Sequence, residues 1–210
     1  TFKDKDGTQA SGSSTTIATP GMTVAAGDLV VVFVTFEGAD TTIAVSDGTT
    51  SLTADPNGKY IGHIDAAFDP RCQIFYLPAS VASGTNSVVY TATFGATRPW
   101  RNITAMTYTP PGTVSVDATS VGANGTTTAA ASGNFTTTGT DGVAFGFYGE
   151  FGVAISTHRI NALAADQIIT PLRTAQWSKA YSAGFTGQAT GTIASGNTWV
   201  CAAIAFKAAA

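Results

Sequence analysis

Charge is what this sequence has least of: Asp, Glu, Lys and Arg together make up 11% of its 210 residues. Ten Lys and Arg spread along the chain against thirteen acids give a formal net charge of −3. That leaves no basic stripe to neutralise a phosphate backbone, so no nucleic acid is expected as a partner. No apolar run reaches the roughly 20 residues a membrane-crossing helix needs, and no membrane is expected either. Thr1 to Gly7 lack the shape of a signal peptide. Helix grammar is nearly missing as well. Only Asn161-Ala162-Leu163-Ala164-Ala165-Asp166 invites a helical turn.

The motifs of common chemistry are also missing. There is no Gly-x-Ser-x-Gly, and no glycine-rich phosphate cradle joins a strand to a helix. Asp4-Lys5-Asp6-Gly7 starts like a calcium loop but lacks the further oxygen ligands and the distal glutamate. His63 with Asp65 and Asp69 is short of a ligand set and reads either as a weak metal site or as a polar loop. His158 lies inside a strand pattern and reads as a packed or edge histidine. The only two glutamates, Glu37 and Glu150, end two similar strands. They serve either as a glycosidase pair or as solvated strand-end acids. No catalytic residue, metal or cofactor is assigned, and the chain is expected to be non-enzymatic.

Cysteine occurs twice, at Cys72 and Cys201, each within a strand pattern. The two form one bridge or remain separate buried thiols; spacing alone does not place their Cα atoms within about 7 Å.

What the chain does have is apolar residues, 44% of the total, and enough glycine and threonine to turn often. Disorder needs low hydrophobicity with high net charge, and this chain has neither. Its strongest signal is Leu29-Val30-Val31-Val32-Phe33-Val34-Thr35-Phe36, fenced by Gly27-Asp28 and Glu37-Gly38. A bounded run of this kind predicts a central strand covered on both faces. Strands are also predicted at 22–24, 42–45, 72–77, 87–94, 103–108, 142–149, 153–160, 178–183, 185–193 and 198–206. Asp55-Pro56-Asn57-Gly58 reads as a turn and Pro110-Pro111-Gly112 as a firm stop near mid-chain. Residues 1–20 read as an arm or edge segment, able to reach a neighbour, before a single domain over 21–210.

The second half echoes the first. At a shift of 112, segments near 15–94 lie over 127–206, with Gly27 on Gly139, Phe33 on Phe145, Val88 on Val200 and Phe94 on Phe206. One residue of slippage brings Asp28 onto Asp141 and Glu37 onto Glu150. The expected fold is therefore all-β, a two-sheet antiparallel β-sandwich of jelly-roll or Ig-like type with pseudo-repeated halves.

One stretch stands out for binding. Gly95 to Arg101 is expected to be a loop, with Trp100 between Arg98 and Arg101; Trp177 and Tyr181 add further flat faces. These residue types are enriched at protein interfaces, stack on sugars, and equally often pack within one protein. Trp100, Trp177 and Tyr181 would serve a glycan only by lining one exposed groove.

The order of Thr15-Thr16, Pro20-Gly21, Gly27-Asp28-Leu29-Val30-Val31-Val32-Phe33-Val34, Gln73-Ile74-Phe75-Tyr76 and Ser83-Gly84-Thr85-Asn86-Ser87-Val88-Val89 resembles β-sandwich domains of bacteriophage virion proteins and bacterial surface proteins. The resemblance implies a structural or adhesive role, such as head decoration (cement) or a tail accessory subunit, in a virion or extracellular setting. It also implies partners among capsid or tail subunits and a homo-oligomeric state. The alternative is an extracellular carbohydrate-binding module.

Overall fold

The computed structural model describes residues 1–38, 41–61, 70–150, 155–170, 174–196 and 198–208. Every regular element among them is a strand. The first half carries β1 (Phe2–Ala18), β2 (Met22–Val24), β3 (Leu29–Glu37), β4 (Ile43–Ser46), β5 (Thr53–Ile61), β6 (Pro70–Leu77), β7 (Gly84–Val88) and β8 (Thr91–Tyr108). The second carries β9 (Val114–Gly125), β10 (Ala129–Ala131), β11 (Phe135–Thr136), β12 (Gly142–Glu150), β13 (Ile155–Ile160) and β14 (Leu163–Ala164). It ends with β15 (Gln167–Ile169), β16 (Thr174–Tyr181), β17 (Thr186–Gly187), β18 (Ala189–Ile193) and β19 (Trp199–Ala208).

The predicted central strand is central. β3 lies between β8 and β6 in the order β1-β8-β3-β6-β5. Its even residues Val30, Val32, Val34 and Phe36 enter one core, and its odd residues Leu29, Val31 and Phe33 enter another. That division is why the run has no polar alternation. The second half repeats the order with β9-β19-β12-β16-β15, so β12 takes the place of β3 and β19 that of β8. Outside these inner sheets lie β2 paired with β7, and β4 paired with the start of β8; in the second half β10-β18-β13-β14 plays that part. Each half thus follows a jelly-roll order, and the fold is an antiparallel all-β sandwich built twice.

The two inner sheets stack strand on strand. Phe33 of β3 meets Phe147 of β12 with ring centroids 4.8 Å apart, and Tyr76 of β6 meets Phe206 of β19 at 5.3 Å. The Tyr108 hydroxyl of β8 hydrogen-bonds Ser178 of β16. At the margins Lys5 Nζ of β1 donates to Gln167 Oε1 of β15 (3.1 Å), and Ser120 of β9 donates to Asp55 Oδ1 of β5 (3.0 Å). Three apolar clusters result: one inside each half and one shared between them.

The repeat is more complete than its shadow in the sequence, and its register differs. Phe33 and Phe145 do share the inter-sheet core. Val88 and Phe94, however, belong to the first half's own core, whereas Val200 and Phe206 face the shared one. The constant shift fails because the first half runs through its layers on one 18-residue strand, β8, while the second uses two strands, β18 and β19.

Three local expectations change for physical reasons. Gly95 to Arg101, expected as a loop, lies inside β8, whose first residues pair with β4 and whose last pair with β3. Asp55 to Gly58, expected as a turn, is an excursion within β5: Ala54 pairs with Phe75 and Lys59 with Gln73, so the extra residues bulge out. The helical turn at 161–166 is a β-hairpin instead. Asn161 and Ala162 both take positive φ (50° and 63°) between Ile160 and Leu163, the backbone of a tight two-residue hairpin turn.

Residues 2–18 are an edge strand, not an outreaching arm. β1 pairs with β8 from Phe2↔Tyr108 to Ala18↔Thr91 and forms one margin of the inner sheet.

The glycines of the second half have a specific use. Gly146, Gly142 and Gly125 stand directly across from Trp177, Tyr181 and Trp199 on neighbouring strands. A Cβ at Gly146 would sit 2.3–2.5 Å from three Trp177 ring atoms. Each large side chain occupies the space that a Cβ on the facing glycine would take.

Candidate functional site

The residues singled out for binding do not assemble. Trp177 is fully buried in the second half's core, its Nε1 donating to the Arg159 carbonyl at 3.1 Å and its ring 5.2 Å from that of His158. It cannot line an exposed groove, so the expected Trp100–Trp177–Tyr181 platform is not built. His158 is half-buried, and burial pulls its imidazole below the ordinary value. Trp100 is half-buried on β8 opposite Ser11.

The two arginines around Trp100 are buried, and Arg101 is a structural tether. Arg101 donates from Nε to the Thr16 carbonyl (3.1 Å) and from Nη1 to the carbonyls of Gly12 (2.5 Å) and Arg98. It thereby pins the stretch of β1 where the register slips, Ser11 to Thr16, onto β8. Arg98 lies over the Phe36 ring, its guanidinium carbon 5.7 Å from the centroid. Backbone carbonyls accept from Nε and Nη1 of Arg101, which offsets the cost of burying its guanidinium.

Cys72 and Cys201 are both buried, in adjoining clusters, and are not joined by a disulfide. Burial pushes the Cys201 thiol up, and the neighbouring Cys72 adds to the shift. Glu37 and Glu150 end β3 and β12, which run the same way one above the other, so both acids stand at one end of the sandwich. Glu150 is buried opposite Trp199. His63, Asp65 and Asp69 lie outside the described residues. Among the described residues no group of three or more His, Cys, Asp or Glu is placed to hold a metal.

Tyr181 leads to a different place. Its hydroxyl donates to Asp117 Oδ2 at 2.7 Å, with the Phe206 carbonyl 3.1 Å away. Asp117 on β9 also accepts from Thr138 N and Gly139 N (both 2.9 Å), from Thr138 Oγ1 (2.7 Å) and from Lys207 Nζ (3.1 Å). Burial alone would raise its pKa. The Tyr181 hydroxyl, the backbone N–H groups and Lys207 outweigh that and hold the carboxyl well below the usual range.

A carboxylate lowered in the fold contributes stability above its unfolded pKa, near 4, and that contribution is lost as pH falls below this toward the folded value. Asp117→Asn is therefore expected to lower the melting temperature at pH 7 and to flatten the decline between about pH 4 and pH 2. Thermal melts across that range check this; an unchanged acid limb in the variant refutes it.

Beside Tyr181 the two inner sheets part, at the end where β3 and β12 begin. The opening is a cavity of about 520 Å³. Its buried walls are Leu29, Tyr108, Val143 and Phe206, with Phe2 half-buried beside them. Pro110 and Pro111, read from sequence only as a stop, also line it. Asp141, Asp166 and Ser182 are exposed at its rim. Sequence reasoning missed this site. The one available signal was the alignment of Asp28 with Asp141, because the two now differ. Asp28 is buried and accepts from Ala25 N (2.6 Å), Thr109 Oγ1 (2.7 Å) and Lys3 (3.1 Å), whereas Asp141 is exposed.

No family model matches this sequence, and no curated protein matches it. Among solved structures it is similar to a conserved protein of unknown function from Pseudomonas aeruginosa PAO1, at 16% identity and a TM-score of 0.36, covering 96% of this chain and 78% of that one. The mavirus major capsid protein is similar at 7% identity and a TM-score of 0.26, over 99% of this chain and 85% of that one. A secreted protein from Parabacteroides distasonis, so described only provisionally, follows at 8% identity and a TM-score of 0.21, over 98% and 83%. Likenesses this distant carry no argument about this chain.

Proposed function

We propose that the chain is a non-enzymatic structural subunit of a virion or other extracellular assembly, acting through its outer surfaces as a capsid decoration or tail accessory protein does. The observation that carries this reading is how the two jelly rolls are filled. Phe36, Phe75, Tyr90 and Phe94 occupy the inside of the first, and Phe135, Tyr148, Trp177 and Trp199 that of the second. Jelly rolls occur in capsid proteins, lectins and cupins, so the topology alone does not choose a function. Aromatic side chains packed where other jelly rolls hold a ligand do favour a rigid building block. The buried tethers of Arg101 support it too, since they fix an edge strand whose Ser11-Gly12-Ser13 stretch is exposed and polar. The carbohydrate-binding alternative loses its expected platform with the burial of Trp177.

Light scattering at two protein concentrations tests this reading. A closed oligomer of fixed mass is expected, because symmetric assembly places copies of one patch around an axis. A concentration-independent monomer overturns the lattice role.

A further inference from the structure

We propose that the seam between β8 and β16 is a binding site for ordered water, which completes the hydrogen bonding between the two halves. The inner sheets lie with β8 over β16 and β3 over β12. The Tyr108 hydroxyl bonds Ser178, Phe33 meets Phe147, and Thr35 Oγ1 lies 2.8 Å from Thr174 Oγ1. Alternate residues of a strand point to one face, so Asn102 and Thr104 look the same way as Tyr108, and Thr174 and Gln176 the same way as Ser178. Gln176 Nε2 donates across the seam to the Val31 carbonyl of β3 (3.2 Å). Asn102 itself stands between Thr35 on β3 and Gln9 on β1, its direct neighbours in the sheet.

Four buried side-chain atoms on this face have no hydrogen-bond partner among the described residues: Gln9 Oε1, Asn102 Oδ1, Thr104 Oγ1 and Gln176 Oε1. Asn102, Thr104 and Gln176 are at most 1% exposed, so bulk solvent does not serve them. A buried amide or hydroxyl oxygen without a partner is costly, and here the cost would fall several times within one seam. The two inner amides are already oriented. Gln176 Nε2 is engaged by the Val31 carbonyl and Asn102 Nδ2 by Thr35 Oγ1 (3.1 Å), which leaves each carbonyl oxygen open. The open set is therefore three amide acceptors and one hydroxyl, none of them charged. Water fits that set, because it donates two hydrogen bonds, accepts others and brings no charge.

The test uses the full chain. In the parent protein, water–protein Overhauser contacts of the sign given by long-lived water are expected at the side-chain N–H groups of Asn102 and Gln176; their absence overturns the proposal and needs no variant. Thr104→Val keeps the shape of the side chain and removes only the hydroxyl. It is expected to reduce the number of long-lived waters counted by oxygen-17 relaxation dispersion by at least one, and to lower the melting temperature by about 2–4 °C. In a dry seam the same change replaces an unpartnered hydroxyl by a methyl group, and melting stays level or rises. A level or raised melting temperature therefore overturns the proposal, as does an unchanged water count. Stabilisation of the parent by potassium chloride over choline chloride at equal concentration, lost in Thr104→Val, would overturn the water assignment in favour of a monovalent cation.

Discussion

Removing residues 1–14 is expected to cost most or all of the fold's stability. β1 pairs with β8 along nearly its whole length and is woven in by side chains as well. Lys3 pairs with the buried Asp28 (3.1 Å), and Asp4 Oδ2 accepts from Thr23 N (2.6 Å). Each ladder hydrogen bond contributes only about 1 kcal/mol net, but a long edge strand has many of them. Their loss also leaves the β1-facing edge of β8 unpaired from Arg98 to Tyr108, and Asp28 without its cation. A total on the order of 5 kcal/mol or more rivals the whole stability of an ordinary domain. Circular-dichroism melting of the truncated chain decides it. A melting temperature within a few degrees of the full chain would show that β1 is a dispensable arm, as the small polar residues of its sequence suggest.

Gly146→Ala carries the second large expected effect, from a single methyl group. The new carbon would lie 2.3–2.5 Å from ring atoms of Trp177, and that ring is fully enclosed and anchored by its bond to the Arg159 carbonyl. Overpacking of a rigid buried ring costs about 3 kcal/mol, which for a chain of this size lowers melting by roughly 10 °C. Trp177→Leu should itself destabilise. Combined with Gly146→Ala, however, the two penalties should fall well short of their sum, because the smaller side chain vacates the space the methyl group needs. Strict additivity, or a Gly146→Ala protein that melts like the parent, would show that the ring moves aside freely.

The fold was legible where side chains declare their burial on both faces. The run Leu29 to Phe36 announces a central strand, and the glycines of β12 announce close approach, though not which rings approach them. The halves were legible as a repeat because β3 and β12 keep their spacing from the turns before them. The match broke down where β8 does in one strand what β18 and β19 do in two, since chain length is then used differently for the same path. Local signals misled in the other direction at Gly95 to Arg101. Pro, Gly and Arg read as loop there, yet β1 pairs with Arg98, Trp100 and Arg101 and supplies what propensity does not. The binding residues were chosen for chemical type, and type does not report burial: Trp177 and Arg101 serve the interior. The cavity was invisible because it is formed by the ends of strands remote in sequence, with Asp141 marked only by its likeness to Asp28.

The stacking of one inner sheet on the other has a further consequence. Two separate copies of a half-chain meeting this way would have to present the same face to each other, and every change would appear twice. Joined in one chain, the faces are free to diverge. The face of β6 offers Cys72, Ile74 and Tyr76, while the matching strand β16 offers Thr174, Gln176 and Ser178. Covalent linkage therefore lets one seam be greasy on one side and hydrogen-bonded on the other, an asymmetry that a pair of identical partners cannot hold.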